Sequence, residues 1–121
     1  MNKIVKIKEN RDFRRAYNRG KSFVSPFVAV YINKNRTNEV RLGITAGKKV
    51  GNAVCRNRAK RVITAAFREV LPQISVGYDF IIVARTRILT AKSTDVAKSL
   101  NKILNSAQFC LVTSKNEENT N

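Results

Sequence analysis

The sequence has no histidine, no tryptophan and only two cysteines, Cys55 and Cys110, which lie far apart in the chain. Without histidine or a Cys-x-x-Cys pair, zinc fingers, most catalytic triads and the usual imidazole general base are excluded. Acids are also few, since eight Asp and Glu stand against 24 Lys and Arg, and no paired-carboxylate motif is present. We therefore predict no catalytic residue and no metal site on this chain, and two reduced thiols in apolar surroundings.

Long apolar runs are absent as well. No stretch approaches the roughly 18 consecutive apolar residues that a membrane span requires. No basic amphipathic segment offers a Trp, Phe or Leu face for insertion into a bilayer surface. Residues 1–6 carry charges where a signal peptide needs an apolar stretch, so we expect a cytoplasmic protein with no membrane partner.

The excess of positive charge is the strongest compositional feature. A formal charge of +16 at pH 7 is typical of a protein that attracts a polyanion such as nucleic acid. At 121 residues the chain is expected to form one domain over residues 1–112. The polar residues 113–121 are predicted to be a disordered tail, because they offer too little apolar surface to bury.

One predicted helix organises the chain. Gly51 and Asn52 supply a breaker and an N-cap oxygen, an Ala-rich run follows, and Pro72 lies where the helix should have ended. At about 100° per residue the side chains divide between two faces. The apolar face comprises Cys55, Ala59, Val62, Ile63, Ala66 and Val70. The opposite arc comprises Arg56, Asn57, Lys60, Arg61, Thr64 and Arg68, with Arg58 at its edge.

No acid interrupts this arc, because none occurs between Glu39 and Glu69. A solvated helix face normally mixes charges of both signs, since like charges at i and i+4 repel each other. A solvated basic face without a ligand is the alternative interpretation. An arc of one sign nevertheless favours a polyanionic partner, either RNA or DNA.

A first helix is predicted between Asn10, a suitable N-cap, and Gly20, a natural residue just past a helix end. Phe13 and Tyr17 share one of its faces at i and i+4, beside a stripe of arginines. Two interpretations are open for these rings: packing in the core, or stacking on single-stranded bases, which contributes about 1–3 kcal/mol per base. Both hold if one ring edge is buried and the other is exposed.

Strand signals are found at residues 22–24, 27–32, 40–45 and 78–85. A polar turn separates the second and third of these strands, which predicts a hairpin. The fourth is almost wholly apolar, which predicts an interior strand covered on both faces. A final helix is expected with Ser93 or Thr94 as its N-cap, and it should continue to about Phe109. The order is αβββαβα, or αββαβα if the first short strand merges with its neighbour. It predicts a two-layer α+β fold, whose small mixed sheet has a parallel pair across the crossover helix.

The organising helix and the loop before it also resemble a known signature. This segment resembles the RNR signature of the bacterial ribonuclease P protein family. The matching residues are Lys48-Lys49-x-Gly51-Asn52-Ala53-Val54-x-Arg56-Asn57-Arg58-x-Lys60-Arg61, with Phe67-Arg68 one or two turns later. Three other segments agree in order and spacing: the Asp12-Phe13 helix, Arg41-Leu42-Gly43-Ile44 and Tyr78-Asp79-Phe80-Ile81-Ile82. The resemblance covers roughly residues 8 to 109.

The resemblance implies a fold like the second domain of ribosomal protein S5, with a left-handed βαβ crossover that general handedness rules would not predict. It implies the protein subunit of an endoribonuclease that removes the 5′ leader from precursor tRNA, with the chemistry carried by an RNA subunit. Mg²⁺ is the implied cofactor, held chiefly by that RNA. The implied partners are the catalytic RNA and precursor tRNA, and no obligate protein partner is inferred.

Site residues follow from positions that match the family. Contacts with the catalytic RNA are implied for Lys48, Lys49, Asn52, Arg56, Asn57, Arg58, Lys60, Arg61 and Arg68. Contacts with the single-stranded leader, in a cleft between the first helix and the sheet, are implied for Phe13, Arg14, Tyr17 and Tyr31. A gap-free reading puts Val30 at the family's aromatic cleft position, with Tyr31 on the other face, so either is a candidate. Thr64 stands where many members carry arginine, which weakens that edge of the basic arc.

Two other functions are alternatives to this one. A structural RNA-binding protein, such as a ribosomal protein, shares the fold and the charge, and the RNA that co-purifies would distinguish it. A protein-only nuclease needs a cluster of carboxylates, whereas the eight acids of this chain are scattered along the sequence.

Overall fold

The computed structural model describes residues 3–107. Its strands are β1 (Ile4–Lys6), β2 (Lys21–Val24), β3 (Val28–Lys34), β4 (Val40–Thr45) and β5 (Tyr78–Ala84). Its helices are α1 (Asn10–Arg19), α2 (Ala53–Val70) and α3 (Ser93–Ala107), and the basic loop before α2 contains one 3-10 turn, Lys48–Val50. The predicted domain end at residue 112, the tail over residues 113–121, Phe109 and Cys110 all lie outside the described residues.

The five strands form one mixed sheet in the order β1-β4-β5-β3-β2. β4 pairs in parallel with β1 and β5, whereas β3 is antiparallel to β5 and β2. The predicted parallel pair across the crossover helix is therefore β4 and β5, joined through α2. The predicted interior strand is β5, whose residues Phe80, Ile81 and Ile82 are fully buried at the centre of the sheet. These predictions and the α+β class are confirmed.

The predicted hairpin between β3 and β4 is wrong, because β5 lies between these two strands. The polar turn does not reverse one strand onto the other. It closes over the start of β5, where the Asn35 amide donates to the carbonyl of Gly77 (2.8 Å) and the Gly77 amide donates to the carbonyl of Glu39 (2.9 Å). β5, the most apolar strand, thereby takes the position that is covered on both faces, where burial of its side chains contributes most to the stability of the fold.

β1 was not predicted at all. It has three residues and pairs with β4 at the edge of the sheet, with Ile4 opposite Val40 and Lys6 opposite Leu42. A strand of this length contains too few residues for an alternating pattern to be recognised. Its presence brings a lysine of the amino terminus beside the organising helix.

The two faces of the sheet are covered by different helices. On one face α2 and α3 pack over the main core, which includes Val30, Phe80 and Ile82 from the sheet and Ile63 and Phe67 from α2. The Phe67 and Phe80 rings meet edge to face at 5.4 Å, although Phe67 was not among the predicted core positions of α2. The sheet and the α2–α3 pair form two layers of the fold. On the opposite face α1 packs over a smaller cluster that contains Ile7, Ala16 and Ile81.

The helix ends follow the predicted signals with small shifts. Gly51 has φ +138°, a conformation that L side chains rarely adopt, and the Asn52 side chain accepts the Cys55 amide at 3.0 Å as the predicted N-cap. Cys55 is a free, half-buried thiol. α1 includes Asn10 as its first residue, so its N-cap is Glu9, one residue earlier than predicted. α3 begins at Ser93, where the Asp95 carboxylate accepts the Lys92 amide at 2.9 Å.

Candidate nucleic-acid interface

The outer arc of α2 carries the predicted cations, and two of them, Lys60 and Arg68, lie where this arc meets the edge of the sheet. Lys60, Arg61 and Arg68 are exposed, as is Asn57, and Arg56 is half-buried. The loop before the helix adds further exposed polar side chains, those of Lys48, Lys49 and Asn52. Most of the predicted set is therefore exposed or half-buried on α2 and on the loop before it, and we call these residues the α2 basic face (Lys48, Lys49, Asn52, Arg56, Asn57, Lys60, Arg61 and Arg68).

The α2 basic face is not neutralised by neighbouring acids. Within residues 3–107, each ion pair joins one of Arg11, Arg15 and Arg41 to one of Glu9, Asp12 and Asp79. None of these pairs involves a cation of α2 or of the loop before it. The positive charge of this face is thus available to a polyanion, because no carboxylate in the described part of the chain lies within 4 Å of it.

Arg58 differs from the other predicted cations. Its side chain is half-buried, its Nη2 donates to the carbonyl oxygen of Ala91 at 3.2 Å, and its Nη1 is enclosed without a partner. Arg58 therefore joins α2 to the segment that precedes α3. Thr64 is also partly buried, and its hydroxyl donates to the Lys60 carbonyl at 2.8 Å within the helix.

A groove of about 340 Å³ runs between β1 and α2 and extends the basic face to the edge of the sheet. Its rim holds Lys6, Lys60 and Arg68, and Ile4 and Leu42 are among the apolar residues below them. Lys6 was missed in the sequence because β1 was not recognised. The β-branched pair Ile4-Val5 next to it was the available signal.

A second surface, of aromatic character, lies where α1 meets the sheet. The Tyr17 and Tyr31 rings meet edge to face with centroids 4.9 Å apart, and Phe13 lies 6.5 Å from Tyr17. Tyr17 is 39% exposed, whereas Phe13 and Tyr31 are half-buried against the small cluster beneath α1. The packing interpretation is confirmed for Phe13, which lies against this cluster, whereas stacking on single-stranded bases stays a prediction. We call Phe13, Tyr17 and Tyr31 the aromatic cleft.

The register of β3 decides which of its two candidate residues lies in this cleft. Val30 is 1% exposed and belongs to the main core on the α2 side. Tyr31 lies on the α1 side, opposite Ser22 of β2 and Ile81 of β5. Arg14 borders a shallow depression next to the cleft, which Asn10 and Thr45 also line.

Beneath α1 lies an ion-pair cluster that sequence reasoning did not find. The Arg41 Nη2 contacts the Asp12 carboxylate at 3.0 Å, and its Nη1 contacts the Asp79 carboxylate at 3.4 Å. The Asn35 side chain donates to the other oxygen of Asp79 at 2.8 Å. These residues are 29 to 44 positions apart in each contact, so no local pattern indicates them.

Neither a metal-ligand cluster nor a membrane-spanning helix is found among residues 3–107. Residues 3–107 contain no group of three or more Cys, Asp or Glu side chains that could hold a metal. The two buried carboxylates, Asp12 and Asp79, are bridged by the Arg41 guanidinium, which occupies the position that a cation would take. None of the helices in this part of the chain combines the length and the apolar character needed to cross a bilayer.

Comparison with known proteins identifies the family of this chain. The family model for ribonuclease P matches residues 1–108. A ribonuclease P protein component from Clostridioides difficile (strain 630) is 38% identical over 104 residues, which cover 85% of this chain and 91% of that protein. A ribonuclease P protein component from Listeria monocytogenes serovar 1/2a is 41% identical over 105 residues, with coverages of 86% and 88%.

Solved structures share the fold. The RNase P protein of Staphylococcus aureus superposes with a TM-score of 0.77 at 35% identity, and the match covers 89% of this chain and 99% of that one. The RNase P protein from Thermotoga maritima superposes with a TM-score of 0.74 at 28% identity, with coverages of 84% and 96%. The chain therefore belongs to the ribonuclease P protein component family.

Proposed function

We propose that this chain binds the catalytic RNA of ribonuclease P and the 5′ leader of precursor tRNA, and so assists the Mg²⁺-dependent endonucleolytic cut that produces the mature 5′ end. Family membership supports a role in tRNA processing within a ribonucleoprotein. The observation that carries the finer assignment is the α2 basic face, which projects outward from one rigid helix and has no carboxylate partner among residues 3–107.

The α2 basic face is the proposed contact with the catalytic RNA. Folded RNA is recognised mainly through its backbone and shape, so a dense array of cations suits it better than base-specific donors. Lys60, Arg61 and Arg68 supply exposed charges along the helix, and Asn57 supplies an amide among them. The rim formed by Lys6 extends the same surface toward β1. Arg58 contributes by fixing α2 to the rest of the protein, since its Nη2 donates a hydrogen bond to the Ala91 carbonyl oxygen.

The aromatic cleft is the proposed contact with the leader. Single-stranded RNA binds to aromatic rings by stacking, and positive charges beside the rings hold its backbone. Tyr17 and Tyr31 form adjoining walls, and Arg14 lies at the border of the cleft. Thr45, at the end of β4, is part of the same border, and Lys48 and Lys49 follow it closely in the chain. A strand of RNA that leaves the cleft over Thr45 would thus meet the basic loop.

The chemistry is assigned to the RNA subunit. Mg²⁺ bound there would activate water and stabilise the charge that develops on the phosphate. The protein supplies no fitting donor set for this ion in its described residues, because Asp12 and Asp79 are committed to Arg41. Its proposed contribution is to neutralise phosphates and to orient the leader.

Reconstitution tests this function directly. The purified chain is added to a bacterial ribonuclease P RNA at a Mg²⁺ concentration at which the RNA alone is inactive, and 5′ processing of a precursor tRNA is followed. Rescue of cleavage at the correct position supports the proposal. Failure to rescue, or cleavage by the protein in the absence of RNA, refutes it.

The RNA that co-purifies with the chain provides a second test. One catalytic RNA species supports the proposal, whereas ribosomal RNA would indicate a structural RNA-binding protein with the same charge. This measurement is independent of Mg²⁺ and of any assumed substrate.

A further inference from the structure

Asp12 and Asp79 are the buried acidic residues of the described chain, at 8% and 2% exposure. Both contact one guanidinium, that of Arg41, whose side chain is 20% exposed. We call Asp12, Arg41 and Asp79 the Arg41 cluster. It joins three elements that are distant in sequence: α1 through Asp12, β4 through Arg41 and β5 through Asp79.

Stability alone is a weak explanation for such a cluster. Removing charges from water is costly, and well-packed apolar residues of similar volume often hold a fold equally well. What a guanidinium adds is direction, because its planar fork holds two carboxylates at fixed angles. The Arg41 cluster therefore defines where α1 lies on the sheet and how it is rotated about its own axis.

That rotation determines where the aromatic side chains point. Asp12 and Ala16 are four positions apart, and both are buried against the sheet. Phe13 and Tyr17 each follow by one position, about 100° further around the helix, which places them at the margin of α1. A change in the rotation of α1 would therefore move both rings relative to Tyr31.

The sheet beneath α1 is shaped to accept this orientation. Gly43 lies two residues after Arg41 on the same face of β4, and a Cβ atom there would lie 2.8 Å from the Phe13 ring and 2.8 Å from Ile81. Phe13 thus occupies space that only glycine leaves open. The Arg41 cluster and Gly43 fix α1 at neighbouring points, one by charge and one by close contact.

We propose that the Arg41 cluster is a positioning device for RNA binding, which holds α1 so that Phe13 and Tyr17 face single-stranded RNA together with Tyr31. The inference rests on the proposed role of the aromatic cleft as the leader site. Arg41, Asp12 and Asp79 are positioning residues and make no contact with the RNA themselves.

The test compares Asp12→Ala with Glu9→Ala in the reconstituted holoenzyme. Both variants remove one acid from the same end of α1, but Glu9 is exposed and its ion-pair partner among residues 3–107 is the exposed Arg11. The measured quantity is the ratio of affinities for precursor tRNA and for mature tRNA. We expect Asp12→Ala to lower this ratio by about five- to tenfold, which is the lower part of the range that the loss of one stacked base gives. Glu9→Ala is expected to leave the ratio unchanged.

Two further variants separate positioning from folding. Arg41→Lys keeps the charge but replaces the fork with a single ammonium group, so it should lower the ratio as well. Asp12→Asn keeps an oxygen that can accept from Arg41 and should retain more of the preference than Asp12→Ala. Circular dichroism at the assay temperature selects the variants that are folded, and the comparison is made among those.

A direct readout uses fluorotyrosine NMR of the full chain. The signals of Tyr17 and Tyr31 should shift in Asp12→Ala and Arg41→Lys and stay in place in Glu9→Ala. An unchanged affinity ratio in both Asp12→Ala and Arg41→Lys would overturn the inference. If the wild-type holoenzyme itself shows no preference for precursor tRNA, the proposed leader site fails, and the NMR shifts alone then decide whether the cluster positions the rings.

Discussion

Arg61→Ala is the sharpest probe of the α2 basic face. Arg61 is exposed on α2, and no acid among residues 3–107 pairs with it. The matched control is Arg36→Ala, because Arg36 is an exposed arginine in the turn between β3 and β4 and is not part of the α2 basic face. Both substitutions lower the net charge by one, so a difference between them reports position and not total charge.

The expected magnitude follows from the number of available cations. The exposed and half-buried cations of the basic face are Lys48, Lys49, Arg56, Lys60, Arg61 and Arg68. If each neutralises one phosphate, the plot of log K against log salt has a slope of about −4 to −5, at about 0.7–0.9 for each contact. Removing Arg61 should make the slope shallower by about 0.7–0.9, which is roughly a threefold change in affinity over a fourfold change in salt.

The assay is filter binding of the chain to a ribonuclease P RNA at a series of salt concentrations. Arg61→Ala should lower the affinity at low salt and reduce the slope, whereas Arg36→Ala should change neither. Thermal unfolding accompanies both variants, and an exposed substitution of this kind should change stability by no more than about 0.5 kcal/mol. A wild-type slope in Arg61→Ala combined with a reduced slope in Arg36→Ala would refute the assignment of the RNA contact to α2.

Three further predictions follow from individual contacts. Arg58→Ala should lower the free energy of unfolding by about 1–2 kcal/mol in urea denaturation, because the Ala91 carbonyl loses its hydrogen-bond donor. The slope of log K against log salt should stay nearly unchanged. A reduced slope with wild-type stability would instead indicate that Arg58 contacts a phosphate. Gly43→Ala should cost about 1–3 kcal/mol, since the added methyl would overlap Phe13 and Ile81, and a neutral result would mean that α1 shifts freely. Phe13→Ala should weaken binding of precursor tRNA more than binding of mature tRNA, and equal losses for the two would indicate a purely structural ring.

The organising helix could be predicted because its signals are local. The N-cap side chain of Asn52, the positive φ of Gly51 and the period of the apolar residues act within a few positions of one another. The same holds for the basic arc, since a side chain's direction on a long helix follows from its position in the sequence. The exposed cations Lys60 and Arg61 therefore lie where the sequence indicated.

The pairing of strands and the Arg41 cluster could not be predicted in this way. The turn after β3 has the polar composition of a hairpin. Burial of β5 nevertheless decides the strand pairing, and the residues that pair with β5 are some 40 positions away in the sequence. The same distance separates Arg41 from Asp79. From the sequence, Asp79 and Arg41 would both be assigned to the surface, because no neighbouring residue indicates that they form an ion pair.

The fold and the candidate interface use different charges. Asp12 and Asp79 neutralise Arg41 on the α1 side of the sheet, whereas the α2 basic face has no acid to pair with among residues 3–107. Repulsion between like charges at i and i+4 costs a few tenths of a kcal/mol for each pair. Burial of a side chain such as Phe67 or Ile63 stabilises by about 1.5–3 kcal/mol, so the core side of α2 outweighs the repulsion along its outer arc. Because α2 is held by its apolar residues, its cations remain available for RNA, and this is the physical condition that the proposed function requires.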